Sequence, residues 1–459
     1  MLISSTINGI DYLVLIPEAM RIQERDSKKS SQKFINFFIY LYGSIGLLLI
    51  ISVLVSPVFF YSFFSKFNTD LLRENYKLLY IGSIIISFQL LNSLLSALLA
   101  SYKYFTISIL SGLINAVFSI TFTIVLHNKI GITGTLLGVS LGYIINFILL
   151  IYVLKKFQGW NFFNIGWMKN TKVWKNIALM QVNILPVLVR NYLVIYIITG
   201  MNKGAITSIN LAQTIAGIPE IFILSQIMAV VGIKFSELNA KRDFIKTNYI
   251  LQHLATLLFI IIIPISITMA VCSKEIISLA LHRGNFNSSA STLTSLCFFY
   301  FSLLLPTKIF DTIFTRLFTA FQIYGLSTLI AFIAHVIITT IIYFGITYFK
   351  LEGYFTALIF GYAFIMPVVF YLIMKFRFKE MNIKTLIKNF FLFFIIMVIV
   401  CFSAIKIKEY LYFYSVVNII IIAAFSFSAV FVLSYFMVDV KFIIEYLQSI
   451  RKKVGQFNK

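Results

Sequence analysis

The run GITGTLLGVSLGYIINFILLIYVL (131–154) passes directly into KKFQGWNFFNIGWMKNTKVWK (155–175). The first stretch carries no charge over a length that crosses a bilayer, which takes about 20 apolar residues in a helix. The second stretch holds five lysines and all three tryptophans of the chain. An uncharged span ending on a basic, aromatic loop is the signature of a membrane helix that meets the cytoplasmic surface.

The same pattern repeats along the chain. Full spans are read at about 36–63, 78–102, 105–127, 131–154, 177–200, 204–233, 249–272, 291–321, 323–348, 354–374, 385–404 and 411–437. Lys and Arg gather in every second gap. One set of alternate gaps, with the C-terminal tail, holds 25 of the 38 Lys and Arg residues, and the other set holds 10. The richer set includes Lys28 and Lys29, Lys155 and Lys156, Lys241 and Arg242, and Lys384 and Lys388. The positive-inside rule puts this set, and the C-terminus, in the cytoplasm. The chain is therefore read as an all-α polytopic membrane protein. Composition agrees: 60% of residues are hydrophobic and 12% charged, against about 25% charged in a soluble domain. Topology and contact with anionic membrane lipids account for the +22 net charge, so the charge is no nucleic-acid signal. Cys272, Cys297 and Cys401 lie in or beside apolar spans without paired spacing, which speaks against a disulfide or a metal site. No cofactor is expected.

Residues 3–20 read as the end of one more helix. They lack a basic n-region and a small-residue cleavage site, so they are not a signal peptide. Asp11 interrupts them and makes a poor independent span. In the 155–175 loop, Trp160, Trp167 and Trp174 recur every seven residues and would share one helical face. Two readings stand side by side: an interfacial amphipathic helix, or aromatic anchoring at headgroup level.

Ionisable residues inside spans are costly and point to function. Arg190 sits mid-span, four residues after Pro186, and has no acid three or four positions away in sequence. Lys308, Asp311 and Arg316 lie in LPTKIFDTIFTRLF, where Pro306 should kink the helix. Lys308 and Asp311 are three apart and can pair. Glu220 follows Pro219, and Gln181, Asn183, Asn191, Gln213 and His335 are polar companions. An internal salt bridge or polar glue between helices explains such residues without function. For Arg190 a water-filled cavity is the favoured reading. Three cations against two acids suit a cavity that accepts an anion such as a phosphate. No P-loop, GxSxG or HExxH motif occurs, and no extramembrane segment is long enough for an ATPase domain. The chain is not read as an enzyme.

The segment SLALHRGNFNSSASTLTSLCFFYFSLLLPTKIFDTIFTRLFTAF (278–321) resembles the lipid II flippase family, MurJ/MviN, which carries an ERGxF loop, then LP, then SRxFYA. The matching residues are Arg283, Gly284 and Phe286, then Leu305, Pro306, Arg316, Phe318 and Ala320. INLAQTIAGIPEIFILSQIMAVVGIKFSEL (209–238) and VLIPEAMRIQER (14–25) resemble two further family segments. The family's YADRL motif has Asp and Arg where this chain has Gln213 and Thr214. Aligned this way, the chain lacks the family's first helix, most of the second, and their cationic residues. The resemblance implies a two-lobe bundle similar to MATE-like exporters. It would comprise about twelve full transmembrane helices, a partial N-terminal helix, and two extra C-terminal helices forming a lipid-tail groove. The expected divisions are an N-terminal lobe at 1–154, a basic aromatic linker at 155–176, a C-terminal lobe at 177–375, the last two helices at 384–437 and a basic tail at 438–459.

The function implied is flipping of an undecaprenyl-pyrophosphate-linked sugar, lipid II or a related precursor, across the bacterial inner membrane by alternating access. Transport would be passive, or driven by an ion gradient or the membrane potential. The alternatives are an O-antigen or capsule-unit flippase, a cation-coupled multidrug exporter, and a truncated, non-transporting paralogue. The exporter reading predicts intramembrane acids in the N-terminal lobe, and the spans from 36 to 154 contain none.

Overall fold

The computed structural model describes residue 11 and residues 15–166, 171–200, 204–240, 242–284, 286–321, 326–377, 383–411 and 414–438. The rest of the 3–20 segment, residues 167–170 of the linker and the basic tail beyond 438 lie outside the described residues. No strand occurs among the described residues. The helices are α1 (Ile16–Arg25), α2 (Lys28–Val55), α3 (Pro57–Phe64), α4 (Thr69–Glu74), α5 (Tyr76–Ser101), α6 (Phe105–Ile130), α7 (Ile132–Gln158), α8 (Thr171–Thr199) and α9 (Ala205–Ala216). They continue as α10 (Ser225–Ala240), α11 (Phe244–Val271), α12 (Ser273–Leu281), α13 (Ser288–Leu303), α14 (Leu305–Ala320), α15 (Leu326–Phe360), α16 (Met366–Arg377), α17 (Ile383–Glu409) and α18 (Ser415–Met437). The π turns Glu220–Leu224 and Gly361–Ile365 interrupt the helical runs.

Among the described residues, eight helical segments are long and apolar enough to cross a membrane, or up to nine when a bent pair counts as one span. One of the eight, Leu329–Phe376, takes in two expected spans at once. Expected spans 105–127 and 177–200 correspond to α6 and α8. Large apolar side chains face outward from these helices, Leu48, Val55, Ile124 and Phe402 among them. Such a surface needs hydrocarbon around it. The chain is a multi-pass membrane protein.

It divides into two compact units, Met1–Gly200 and Met201–Lys459. In the first unit, the helix α2 breaks before Pro57, where Ser56 leaves the helical region (φ −153°, ψ 85°) and α3 starts with proline at its first position. The expected continuous span 36–63 is thus two helices. Glycines let neighbours pack closely. A methyl on Gly138 would stand 2.5 Å from the Phe118 carbonyl oxygen, and one on Gly46 would stand 2.9 Å from Ser87 Cβ. Small residues at four-residue spacing (Gly134, Gly138, Gly142) thereby seat α7 on α6.

The two units share one device. Gly131, between α6 and α7, has φ 55° and ψ −135°, and Lys350, inside α15, has φ 54° and ψ −134°. At each, the chain reverses. Three residues later a glycine, Gly134 or Gly353, rests against the preceding helix, at Leu126 and Gly345 respectively. The reversal at Lys350 separates the expected spans 323–348 and 354–374.

The 155–175 segment corrects the amphipathic-helix reading. The helix α7 ends at Gln158, Gly159 turns left-handed (φ 57°), and residues 159–166 are not helical. Trp160 is 2% exposed and donates from Nε1 to Asn36 Oδ1 at 2.9 Å. Asn36 Nδ2 donates to the Asn161 and Asn164 carbonyls at 2.7 and 3.0 Å, and Lys28 Nζ to the Gln158 carbonyl at 2.7 Å. Trp174, on α8, instead meets the rings of Phe37 and Phe38. A seven-residue spacing implies a shared face only if the chain between is helical. Here a glycine cap ended the helix first.

Candidate functional site

The expected kink at Pro306 is present. Helices Ser288–Leu303 and Leu305–Phe318 meet at 46°. Pro306 has no N–H for the carbonyl four residues earlier, that of Ser302. Ser266 of α11 reaches that carbonyl instead: its Oγ gives a hydrogen bond of 2.6 Å beside the Leu304 N–H, and both serines are fully buried. Hydroxyls that satisfy a freed carbonyl are what make a proline tolerable at membrane depth.

The break sets the direction of α14, which carries Lys308, Asp311 and Arg316 on three successive turns. Lys308 and Asp311 are half-buried and Arg316 is exposed. The helix packs against α10 and against the π turn Glu220–Leu224, whose first residue is the half-buried Glu220. A π turn is an uncommon local widening found frequently at functional sites. The stem of Arg316 lies over α10, where a methyl on Gly232 would stand 3.6 Å from its Cδ. Asn239 Nδ2 holds the far end of α14 by donating to the Ala320 carbonyl at 3.1 Å. Sequence positions almost a hundred residues apart are thus brought to one helix–helix contact. Gln213 is exposed on α9.

Arg190 belongs to the first unit. It lies on α8 and is 8% exposed, four residues after the internal Pro186. The C-terminal half of α8 is fastened locally. Tyr192 Oη donates to the Phe63 carbonyl at 2.8 Å, the Lys66 amide donates to Thr199 Oγ1 at 3.0 Å, and Lys66 Nζ stands 4.8 Å from the centre of the Tyr196 ring. The side chains of Asn183 and Gln181 lie outside the described residues.

The RGxF string forms a turn. Gly284 has φ 60°, and the Phe286 amide donates to the Arg283 carbonyl at 3.2 Å. Positive φ at that position is why glycine stands there. Asn287 then caps α13, its Oδ1 accepting from the Ala290 amide at 3.0 Å. Arg283 is exposed. Phe318 belongs to a ladder of rings with Phe310, Phe314 and Phe370, in which Phe314 and Phe370 stack at 4.4 Å.

Two charged features escaped sequence reasoning. Asp11 is fully buried and accepts from Tyr42 Oη at 2.9 Å and Ser93 Oγ at 2.6 Å. Its place between α2 and α5 was hidden because its own segment is too short and polar to read as a span. Lys408, near the end of α17, donates to Glu275 at 2.7 Å and to the Val271 carbonyl at 2.7 Å. These partners lie more than 130 positions away, and no local spacing signals them.

Among curated protein sequences none matches the chain at a significant level. Among solved structures, the fold is similar to that of a lipid II flippase MurJ in an inward closed conformation, with a TM-score of 0.70 at 20% identity, covering 94% of this chain and 89% of that one. It is also similar to a multidrug resistance MATE family transporter of the MOP superfamily. The inward-facing form gives a TM-score of 0.68 at 11% identity over 82% of this chain and 87% of that one. The outward-facing form gives 0.60 at 12% identity over 82% and 84%. These likenesses establish the fold, an all-α bundle of the kind both transporter groups share. A sequence profile described as lipid II flippase MurJ matches residues 7–424. With the broken span, the intramembrane cations and that match in hand, the chain belongs to the lipid II flippase MurJ family, a family of membrane transporters.

Proposed function

We propose that this protein moves an undecaprenyl-pyrophosphate-linked sugar, lipid II or a related cell-envelope precursor, across the bacterial inner membrane by alternating access. The observation that carries the reading is family membership over residues 7–424. The broken span at Pro306 supports it by setting cationic side chains at membrane depth. In this mechanism Arg190, with Asn183 beside it in sequence, is the first unit's candidate to meet the pyrophosphate, and Lys308 and Arg316, with Gln213 and Glu220, are the second unit's candidates. Lys308 and Asp311 pair when the cargo is absent, and the phosphate displaces the carboxylate from the lysine. Such an exchange lets the site hold an anion without leaving a stranded charge before or after. The cytoplasmic set of basic loops and a cytoplasmic C-terminus orient the site, with residues 1–154 and 177–375 as the lobes that alternate, although α8 (Thr171–Thr199) groups with the first compact unit, and with the last two helices as the groove for the lipid tail.

A second reading concerns the drive. A buried acid in the N-terminal unit is what coupling to a cation requires, and Asp11 is one. Flipping coupled to cation movement follows if Asp11→Asn abolishes dependence on an imposed ion gradient while leaving the protein folded.

The test is reconstitution in liposomes with a fluorescent lipid II analogue, scoring the fraction that reagents outside can reach. Transport above protein-free liposomes supports the proposal. Transport of small organic cations with no movement of lipid II overturns it in favour of an exporter.

A further inference from the structure

Between α16 and α17 lies an open groove of about 330 Å³, lined by Val368, Tyr371, Lys384, Ile387, Lys388 and Phe391. Its two charged residues are both lysines, four apart on α17 and both exposed, so they stand one turn above the other on the same face. Its floor is apolar: Val368, Ile387, Phe391 and the half-buried ring of Tyr371. A third lysine, Lys375, holds its Nζ 6.0 Å from the centre of the Tyr371 ring. None of these residues belongs to the cationic set on α8 and α14.

We propose that this groove is a binding site for an anionic phospholipid, with the headgroup phosphate between Lys384 and Lys388 and the start of an acyl chain over Phe391 and Val368. Three features of the groove fit this occupant together. A phosphate on a membrane-embedded molecule is met by paired ammonium donors at the rim of the spans. The apolar floor continues into surface that lipid already covers, since Val368 and Leu372 on α16 point outward. Tyr371 offers an amphipathic ring at the junction between the two zones, where such rings favour the interface. Basic pockets between transmembrane helices on the cytoplasmic side recognise anionic headgroups in this way, and Lys375, Lys384 and Lys388 stand at the ends of α16 and α17 that charge bias assigns to that side. A soluble protein partner would not account for an apolar floor that faces hydrocarbon.

The experiment uses the full chain in detergent and native mass spectrometry. The probes are phosphatidylglycerol, phosphatidylcholine and undecaprenyl pyrophosphate, each titrated alone and in competition. The variants are Lys384→Ser, Lys388→Ser and the double change. Lys406→Ser, on the same helix but paired with Glu409, is the control. The expected result is retention of phosphatidylglycerol over phosphatidylcholine, with about a 30-fold loss of affinity in the double variant and none in the control. Equal retention of the two phospholipids, or an unchanged double variant, overturns the proposal. So does displacement of phosphatidylglycerol by undecaprenyl pyrophosphate that depends on the same lysines, because the groove would then serve the cargo. If the double variant does not accumulate, each single change is read alone, with a loss of about fivefold expected and an unchanged affinity in both contradicting the site.

Discussion

Ser266 Oγ gives its hydrogen bond, at 2.6 Å, to the Ser302 carbonyl, the group to which Pro306 has no N–H to give. The pair joins α11 to the bend on which Lys308 and Asp311 depend for their position. Ser266→Ala leaves that buried carbonyl only the Leu304 N–H and should cost about 1 kcal/mol. With Pro306→Ala in place, residue 306 regains an N–H and Ser266→Ala should become nearly neutral. Thermal unfolding of the two single variants and the double in detergent measures this. Additive effects would show that Ser266 does not serve the proline break.

Lys408 and Glu275 form a mostly buried ion pair, with side-chain exposures of 23% and 18%. Lys408 also holds the last turn of α11 through the Val271 carbonyl. Lys408→Met should therefore cost more than Glu275→Gln, which leaves the ammonium one carbonyl partner. The expected losses are about 2 and about 1 kcal/mol. Equal losses in the two variants would remove the carbonyl from the account.

Asp11 receives donors from two helices, Tyr42 on α2 and Ser93 on α5. Tyr42→Phe should destabilise by about 1–3 kcal/mol, because the carboxyl loses a donor where water cannot replace it. Asp11→Leu combined with Tyr42→Phe should recover much of that loss. Accumulation in membranes and melting temperature read both. A double variant worse than Tyr42→Phe alone would mean that the bond from Ser93 outweighs the cost of burying the carboxyl.

Lys350 occupies backbone geometry that its counterpart Gly131 adopts freely. A side chain at φ 54° and ψ −134° is strained, so Lys350→Gly should stabilise by about 1 kcal/mol. A lowered melting temperature would show that the lysine's contacts outweigh the strain.

Much of this fold was legible in the residues because membrane helices obey a simple rule. Uncharged runs such as 131–154 must be helices, and basic gaps such as Lys155–Lys156 must lie outside the hydrocarbon. The kink at Pro306 was legible too, since proline acts on the backbone whatever surrounds it. Harder to read was anything set by distant partners. Trp160 looked like one of three residues on a helical face, yet Gly159 stops the helix and Asn36, 124 positions away, takes its indole N–H. The span at 36–63 looked continuous, although Pro57 divides it, because both halves are equally apolar. RGNF in 283–286 drew attention as a motif, and its residues form a turn and lead into a cap. Lys308, Asp311 and Glu220 stood out singly, while the contact between α14 and the π turn that groups them depends on tertiary packing.

The central claim is that cations within the spans receive the pyrophosphate of a lipid-linked sugar, and Arg190 is the most buried of them. Its most direct test is the flipping rate of fluorescent lipid II in liposomes holding matched amounts of wild type, Arg190→Ala and Arg190→Lys. Losing a charge-assisted contact of about 2 kcal/mol corresponds to about a 30-fold slower rate. The account predicts that loss for Arg190→Ala with normal accumulation, and partial recovery for Arg190→Lys. Flipping at the wild-type rate by Arg190→Ala, or failure of that variant to accumulate, would contradict the account and make Arg190 a structural residue.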